Sequence, residues 1–467
     1  MDVFPLSNAL ERSLSRRSSS HFCDLDFADE ADKLECLEEK ANIWRNKSLF
    51  RKKPKESRLS IILLDQGLFT VYKRLLLVCL ALNIAAFVFA ATGYFPYAKC
   101  NATLFSIGNI LALSLCRSEA FLLVVFWPVV KLLGKPWVPL PLKTAITSFL
   151  QSLGGVHSGC GISSIAWLVY ALVLTIKDRD NTSVEILVVA STILSLLCIT
   201  SLAAFPLVRH LHHNVFERTH RFAAWTALVL LWAFIVLKNC YNPTLQAYDF
   251  RVSKLQKSQD FWFTLAITMI IILPWVTVRK VAVKVTASSN HASIIKFEGG
   301  WHAFGIISDG ENGHMMLAGA VGDFTKSLVS KPPSHLWVRK LHFAGLPYLT
   351  NLYQRVLLVA TGSGICVFLS FLLQPSSAKV CLLWVAKGIE QNFRKEIKQM
   401  MSGFPIEMVI VHDTAICGRP NVAKMSVEIA QSWKAEVVIV ASNPQGSRDV
   451  VGACKAAGLP VGPIWDS

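Results

Sequence analysis

The chain has 467 residues, of which 53% are hydrophobic and 17% are charged, and its formal net charge is +16. This composition is too apolar for an ordinary soluble protein. The basic residues flank apolar segments, as membrane proteins require, so the net charge does not indicate a nucleic-acid partner. The 12 cysteines include no Cys-x-x-Cys pair, which argues against a zinc site.

The first 58 residues are polar and charged and include RSLSRRSSS at 12–20. They predict a mostly disordered cytosolic tail (1–58) with no cleavable signal peptide. The Arg-Arg-Ser-Ser run is either a kinase target or simply a solvated stretch, and the sequence leaves both readings open.

Six apolar runs follow, each long enough to cross a membrane. They cover residues 74–94, 103–131, 148–176, 185–207, 221–237 and 261–278. The second run contains Arg117 and Glu119, which leaves two alternatives. Either the crossing ends near Cys116 and an interfacial helix follows, or one tilted helix buries the charged pair. Both count as one crossing, so region 59–279 is predicted to be a six-helix transmembrane bundle.

The basic residues of the loops predict the orientation, because cytosolic loops are enriched in lysine and arginine. Lys131, Lys135 and Lys143 fall on the same side as the basic N-terminal segment. Both termini are therefore expected in the cytosol, with the bilayer of the plasma membrane or endoplasmic reticulum as partner. The glycosylation acceptors Asn101 and Asn181 fall in predicted outer loops, in agreement with this orientation.

Two histidines lie at the cytosolic ends of predicted helices. His157 opens the third crossing, within GGVHSGCG, and His220 opens the fifth. At ~1.5 Å per residue both lie about 27–30 Å from the outer face, so two imidazoles at one depth can ligate one b-type haem. Alternatively, His220, like the nearby His210, His212 and His213, is only solvated or contacts lipid headgroups at the membrane edge. The glycines around His157 either admit a flat macrocycle or serve ordinary helix packing.

From Lys280 onward the pattern changes to strands. VAVKVTASSNHASIIKF alternates as the strands of an antiparallel barrel do, which predicts a β-barrel at 280–350. Strands are then predicted at 356–360, 380–386, 406–411 and 436–441, and helices at 365–374, 389–402, 421–434 and 447–457. This alternation indicates a doubly wound α/β nucleotide-binding domain at 351–467. A glycine loop in VATGSGI joins its first strand to its first helix, an arrangement that suits a phosphate.

Six helices with histidines on the third and fifth, followed by a barrel and an α/β domain, resemble the ferric reductase and NADPH oxidase superfamily. With GGVHSG, VGDFTKSL, VATGSGI and GPIWDS, the chain is most similar to the TmpA-like branch of fungal and plant membrane flavoproteins, over about residues 70–467. The resemblance implies a ferredoxin-reductase-like barrel that binds FAD and a domain that binds NAD(P)H. It also implies that His157 and His220 are the inner ligands of haem iron.

The resemblance assigns further binding residues by motif. Those for FAD are His302, Phe304, Gly322, Asp323 and Thr325. Those for the nicotinamide nucleotide are Thr361, Gly362, Gly364, Ile365 and Arg419. His412 and Asp413, at a strand end, either select the ribose or 2′-phosphate or are turn residues.

The sequence also departs from the family pattern. Gly305 stands where a Thr or Ser would contact the flavin, and Ala441-Ser442-Asn443 stands where the family has Cys-Gly-Pro. The positions of the outer haem ligands hold Tyr170 or Ala171 on the third helix and Ala233 or Phe234 on the fifth. At most one haem is therefore expected.

Together these features predict a membrane flavoprotein-type oxidoreductase. It would pass electrons from NAD(P)H through FAD to at most one inner-side haem and a cytosolic or membrane acceptor. The alternative is a nucleotide-binding regulatory or scaffold membrane protein that retains a reductase fold with reduced catalysis.

Overall fold

The computed structural model describes residues 70–289, 292–298, 306–308, 313–319, 323–339, 346–373, 378–402 and 408–463. The predicted cytosolic tail, 1–58, lies outside the described residues.

Helices form the first half of the described chain. They are α1 (Val71–Ala91), α2 (Pro96–Cys100), α3 (Ala102–Leu115), α4 (Glu119–Leu133), α5 (Leu140–Gln151), α6 (Leu153–Lys177), α7 (Val184–Ala203), α8 (Pro206–Leu211), α9 (His213–Cys240), α10 (Val252–Lys257) and α11 (Gln259–Val276). A small hairpin, β1 (Tyr241–Asn242) with β2 (Ala247–Tyr248), separates α9 from α10.

Five of these helices, α1, α6, α7, α9 and α11, are long and apolar enough to cross a membrane. The bent pair of α3 and α4 gives a sixth span if it is counted as one. The helices match the predicted crossings to within a few residues at most ends, and they are consistent with a membrane protein. α9 starts earlier than predicted, at His213, and a salt bridge between Glu217 and Arg221 spans one turn of this polar extension.

The second predicted crossing is broken near Cys116. α3 ends at Leu115, α4 begins at Glu119, and the two helices differ in direction by 67°. Ser118 explains the break, because its hydroxyl accepts the N–H of Phe121 at 3.4 Å and so caps α4. The acidic Glu119 in the first turn also suits the positive end of the helix dipole. Of the two alternatives for this run, the single tilted helix is therefore wrong.

Two glycines of α6 allow α1 to approach closely. A Cβ atom added to Gly155 would lie 2.2 Å from the carbonyl oxygen of Tyr72, and one added to Gly159 would lie 2.8 Å from Cβ of Cys79. The two glycines are four residues apart and lie on one face of α6, as in the small-xxx-small packing of membrane helices. At these positions the glycines around His157 serve helix packing.

An antiparallel sheet follows the helices. Its strands are β3 (Val278–Ser289), β4 (Ala292–Glu298), β5 (Ile306–Ser308), β6 (Gly313–Gly319) and β7 (His335–Arg339), in the order β5-β6-β4-β3-β7. Helix α12 (Asp323–Ser330) lies between β6 and β7. Within the described residues the edge strands β5 and β7 do not pair with each other, so closure into a barrel stays a prediction.

A five-stranded parallel sheet forms the C-terminal region. In chain order its elements are α13 (Leu346–Leu349), a 3-10 turn (Thr350–Leu352), β8 (Arg355–Thr361), α14 (Ile365–Leu373), β9 (Lys379–Ala386), α15 (Ile389–Ser402), β10 (Val409–Asp413), α16 (Thr414–Cys417), α17 (Val422–Ser432), β11 (Val437–Ala441), α18 (Pro444–Ala456) and β12 (Val461–Pro463). The strand order is β10-β9-β8-β11-β12. This sheet confirms the predicted α/β architecture, with β12 as an additional short strand.

Apolar side chains cover both faces of the parallel sheet, which explains why β8 and β11 are almost wholly hydrophobic. α14 and α15 contribute Phe368 and Ile397 to the core on one face, whereas α17 and α18 contribute Ala430 and Val450 on the other. The sheet therefore lies between two helical layers, as in doubly wound domains.

The core on the α14 side continues into the helices that follow α3. Phe126 of α4 and Leu150 of α5 are buried together with Leu352 and Tyr353. The Tyr353 hydroxyl also lies 2.8 Å from the hydroxyl of Thr147 on α5. Burial raises the pKa of Tyr353 to about 12, so this phenol stays neutral and hydrogen-bonded. The α/β domain is thus packed against α4 and α5.

We expect Gly155→Ala to destabilise the helical bundle by about 1–3 kcal/mol, because the added methyl group meets backbone atoms of α1 that cannot rotate away. Gly161→Ala is the matched control on the same helix, since a Cβ atom there has nothing within 4 Å. The control should be neutral or stabilising by up to about 1 kcal/mol. Thermal unfolding of both variants in detergent tests this packing, and equal effects would contradict it.

Candidate functional site

The strand order of the parallel sheet reverses between β8 and β11. After β8 the chain adds β9 and β10 on one side, and it then returns to add β11 and β12 on the other. In such sheets a crevice opens at the carboxyl ends of the two strands where the direction changes, and ligands bind there. The crevice lies at Thr361, where β8 ends, and at Ala441, where β11 ends.

A tight glycine turn joins β8 to α14 at this crevice. Gly362 has a φ of +53°, which favours glycine, and its carbonyl oxygen accepts the indole N–H of Trp384 at 3.0 Å. A Cβ atom on Gly364 would lie 2.2 Å from the carbonyl oxygen of Ala441, so only glycine lets α14 start so close to β11. The hydroxyls of Thr361 and Ser442 are 2.6 Å apart and link the two strand ends.

This geometry suits a phosphate group. The first N–H groups of α14 have no partner within the helix, and the helix dipole adds partial positive charge at the same place. The structure brings together Thr361, Gly362, Gly364 and Ile365, four of the predicted nucleotide-binding residues. Arg419 is exposed and lies after Gly418 in the loop between α16 and α17, which follows the edge strand β10, and β9 separates β10 from β8 in the sheet.

Asp413 and His412 have structural partners. The Asp413 carboxylate accepts the backbone N–H groups of Gly388, Ile389 and Ala415 at 2.7–2.9 Å, so it caps α15 and starts α16. Nε2 of the buried His412 lies 2.9 Å from the carbonyl oxygen of Gly418. Of the two readings of this pair, these contacts favour turn and cap residues over ribose selectivity.

The predicted FAD site is described only in part. His302, Phe304 and Gly322 lie outside the described residues. Asp323 is the first residue of α12 and Thr325 is its third, so a helix starts where the motif predicts one. The flavin contacts themselves stay predictions.

The two predicted haem ligands have equivalent anchors. Nδ1 of His157 lies 3.0 Å from the carbonyl oxygen of Leu113, and Nδ1 of His220 lies 3.4 Å from that of Thr200. A carbonyl can only accept, so Nδ1 carries the proton and Nε2 is the basic nitrogen. Haem-ligating histidines need this arrangement, in which the second ring nitrogen donates to a carbonyl or carboxylate.

Both imidazoles lie at one end of the bundle. Their carbonyl partners are in the last turns of α3 and α7. The structure places His157 beside the end of α3 and His220 beside the end of α7, and their Nε2 atoms are donors of the kind that haem iron takes, so ligation of one haem by this pair stays a prediction.

Side chains fill the other half of the bundle. Around Tyr170, the rings of Phe87, Phe105 and Trp167 form a cluster with centroid distances of 4.7–6.1 Å. Ala171 and Phe234 are buried in apolar surroundings. The cavity beside Phe234 measures only about 20 Å³, roughly the size of one water molecule. Among the described residues, Tyr170, Ala171 and Phe234 thus lie in packed surroundings, and a second haem is not expected because the sequence has no histidine at these positions.

Three contacts are not evident from sequence alone: the hydrogen bond of Trp384 to the glycine turn and the carbonyl contacts of the two histidines. Trp384 lies within an apolar strand, LLWVA, which gives no sign of a bond to the glycine turn. The histidines contact backbone carbonyl groups of Leu113 and Thr200, and no residue type in the sequence marks such backbone partners. Asp413 could have been recognised as a cap, since an aspartate before a short helical run is a common N-cap.

Comparison with known proteins identifies similar reductases. A family model described as the C-terminal domain of adenylate-forming reductase 03009 matches residues 346–467. Adenylate-forming reductases 06235 and 03009 of Coprinopsis cinerea are each 29% identical over 430 residues, or 86% of this chain. The match covers 41% of each relative, so the chain spans about two fifths of their length.

A flavohemoglobin from Malassezia yamatoensis, solved with bound FAD and haem, overlaps 78% of this chain and 99% of its own. It is 11% identical, and the TM-score is 0.33. This likeness is too weak to support an inference about fold or cofactors.

We expect Asp413→Ala to destabilise the α/β domain by about 2–3 kcal/mol, because three backbone donors lose their charged acceptor. Asp449→Ala is the control, since that carboxylate is exposed and accepts a hydrogen bond from the side chain of Gln445, and its loss should cost within about 0.5 kcal/mol. Hydrogen exchange of α15 in the full-length protein measures the effect. Unchanged protection with an altered preference between NADH and NADPH would instead support ribose selectivity.

Proposed function

We propose that this chain is a membrane-anchored oxidoreductase module that binds a nicotinamide nucleotide in the crevice between β8 and β11. The observation that carries the proposal is the glycine turn at Gly362–Gly364, which places the N-terminus of α14 at the point where strand order reverses. The pyrophosphate would lie on this turn, beside Thr361 and Ser442. Arg419, at the edge of the sheet, would contact a distant part of the nucleotide.

The relatives support the same class of chemistry. Both Coprinopsis cinerea proteins are named as reductases, and the matched family model covers the residues that form this crevice. The substrate and partners of those longer proteins are not transferred to this chain.

We also propose two cofactors, FAD and one b-type haem. The haem would be ligated by Nε2 of His157 and Nε2 of His220, which the carbonyls of Leu113 and Thr200 hold in the required tautomer. FAD would bind near His302, Phe304 and the start of α12. Nicotinamide supplies a hydride, a flavin divides it into single electrons, and a haem takes up one electron at a time. The outer ligand positions hold Tyr170 or Ala171 and Ala233 or Phe234 in place of histidines, which favours a cytosolic or membrane acceptor.

One observation favours a second function, a regulatory or scaffold protein that binds nucleotide with little turnover. Ala441, Ser442 and Asn443 stand where the resembled family has Cys-Gly-Pro, so Ala441 takes the place of the cysteine that lies near the nicotinamide in the family. Here Asn443 accepts the N–H of Gly446 at 2.7 Å and caps α18, while Ser442 is bonded to Thr361. Both side chains therefore make structural contacts at the end of β11 and the start of α18. Such contacts would be kept in a protein that retains the reductase fold without efficient hydride transfer.

We expect Ser363→Asp to raise the Kd for NADPH by about tenfold or more, because a carboxylate on the turn repels the pyrophosphate. A negative charge at the start of α14 should not lower stability, since it suits the helix dipole. Ser432→Asp introduces the same charge at the end of α17, before β11 begins, and so at the end of the strands away from the crevice. This variant should leave the Kd unchanged. Isothermal titration of the full-length protein in detergent provides the measurement. Equal Kd values for Ser363→Asp and wild type, or no binding by wild type, would refute the proposed site.

A further inference from the structure

Helix α4 has two apolar faces, and only one of them is covered. Phe126 lies at the centre of the covered face and is 3% exposed, within the core that α4 shares with the α/β domain. Gly134, just after α4, lies so close to this domain that an added Cβ atom would be 2.9 Å from the carbonyl oxygen of Asn351. The covered face is therefore part of the hydrophobic core of the nucleotide-binding domain.

The opposite face of α4 exposes large apolar side chains. Val124 is 70% exposed, Leu132 65% and Trp127 54%. Phe121 extends the face by one turn, and Trp137, after the helix, is 76% exposed. Soluble surfaces seldom carry so contiguous an apolar strip unless it contacts a membrane or another molecule. Something apolar must therefore cover this face.

The position of α4 along the chain indicates a bilayer. α3 has 14 residues and spans roughly 21 Å at 1.5 Å per residue, short of a hydrocarbon core of about 30 Å. The chain then turns by 67° into α4. α4 thus begins within or beside the same leaflet in which α3 ends, and its exposed face continues the lipid-facing surface of the bundle.

The polar residues of the same face suit phospholipid headgroups. Lys131 projects from the exposed face, with its ammonium group 4.7 Å from the centre of the Trp127 ring. Lys135 is also exposed, two residues before Trp137. Tryptophan and lysine together are typical of helices that lie in the membrane interface, where lysine reaches anionic headgroups. On the predicted orientation, this interface belongs to the cytosolic leaflet.

We propose that the exposed face of α4, formed by Phe121, Val124, Trp127, Lys131 and Leu132, lies in the cytosolic headgroup region and binds anionic phospholipid. The other face of α4 belongs to the core of the α/β domain, so the helix holds the nucleotide-binding domain against the membrane surface. This inference is independent of the nucleotide, and it assigns α4 as an interfacial lipid-binding helix.

The test uses full-length protein in nanodiscs of phosphatidylcholine and phosphatidylserine at about three to one. Trp127→p-benzoylphenylalanine and Leu132→p-benzoylphenylalanine place a photocrosslinker on the exposed face. Gln431→p-benzoylphenylalanine is the control, on an exposed position of α17 across the sheet from α4. We expect lipid adducts at 127 and 132 in about tenfold or greater excess over 431.

A second pair of substitutions tests the headgroup contact. Lys131→Gln with Lys135→Gln should reduce the phosphatidylserine share of the adducts, while total lipid crosslinking at 132 persists. Crosslinks from 127 and 132 to a second copy, to residues 1–69 or to another protein, in place of lipid, would overturn the proposal. An unchanged phosphatidylserine share in the double variant would overturn the anionic preference.

Discussion

The parallel sheet adds strands on both sides of β8, and the candidate site depends on this arrangement. β9 pairs with β8 on one side and β11 pairs with it on the other. The loops that follow β8 and β11 therefore run in opposite directions and leave a crevice between them. Gly364 can start α14 in this crevice only because it has no side chain, since Ala441 of β11 lies against it. Thr361 and Ser442 then tie the two strand ends together.

The same α/β domain is continuous with the helical half of the protein. Its core includes Phe126 and Leu150, and Tyr353 adds a hydrogen bond to Thr147 of α5. Three residues separate the end of α3 from the start of α4, and this break is close to the carbonyl group of α3 that His157 contacts. The crevice of the α/β domain and the two histidines are therefore connected through packed elements, as the proposed electron transfer would require.

Strong periodic patterns made most of the fold predictable. The apolar runs predicted the long helices, and the apolar run at 356–360 with its glycines predicted the strand, turn and helix that the structure shows there. The α3–α4 break lies at Ser118, which caps α4 between Arg117 and Glu119, and the hydropathy of this run alone left two alternatives. The role of Gly155 could not be predicted, because it requires knowing that α1 packs against α6. Asp413 was equally ambiguous, since a carboxylate at a strand end can bind ribose or cap the next helix.

The central claim is that a nucleotide in the β8–β11 crevice delivers reducing equivalents to cofactors of this chain. Its most direct test is anaerobic mixing of NADPH with full-length protein reconstituted with FAD and haem, followed by visible absorption. The account predicts that the flavin band bleaches and the haem Soret band then shifts. His157→Ala should keep the flavin response and lose the haem band. If bound flavin stays oxidised with both NADPH and NADH, the electron-transfer account is wrong and the regulatory function is favoured.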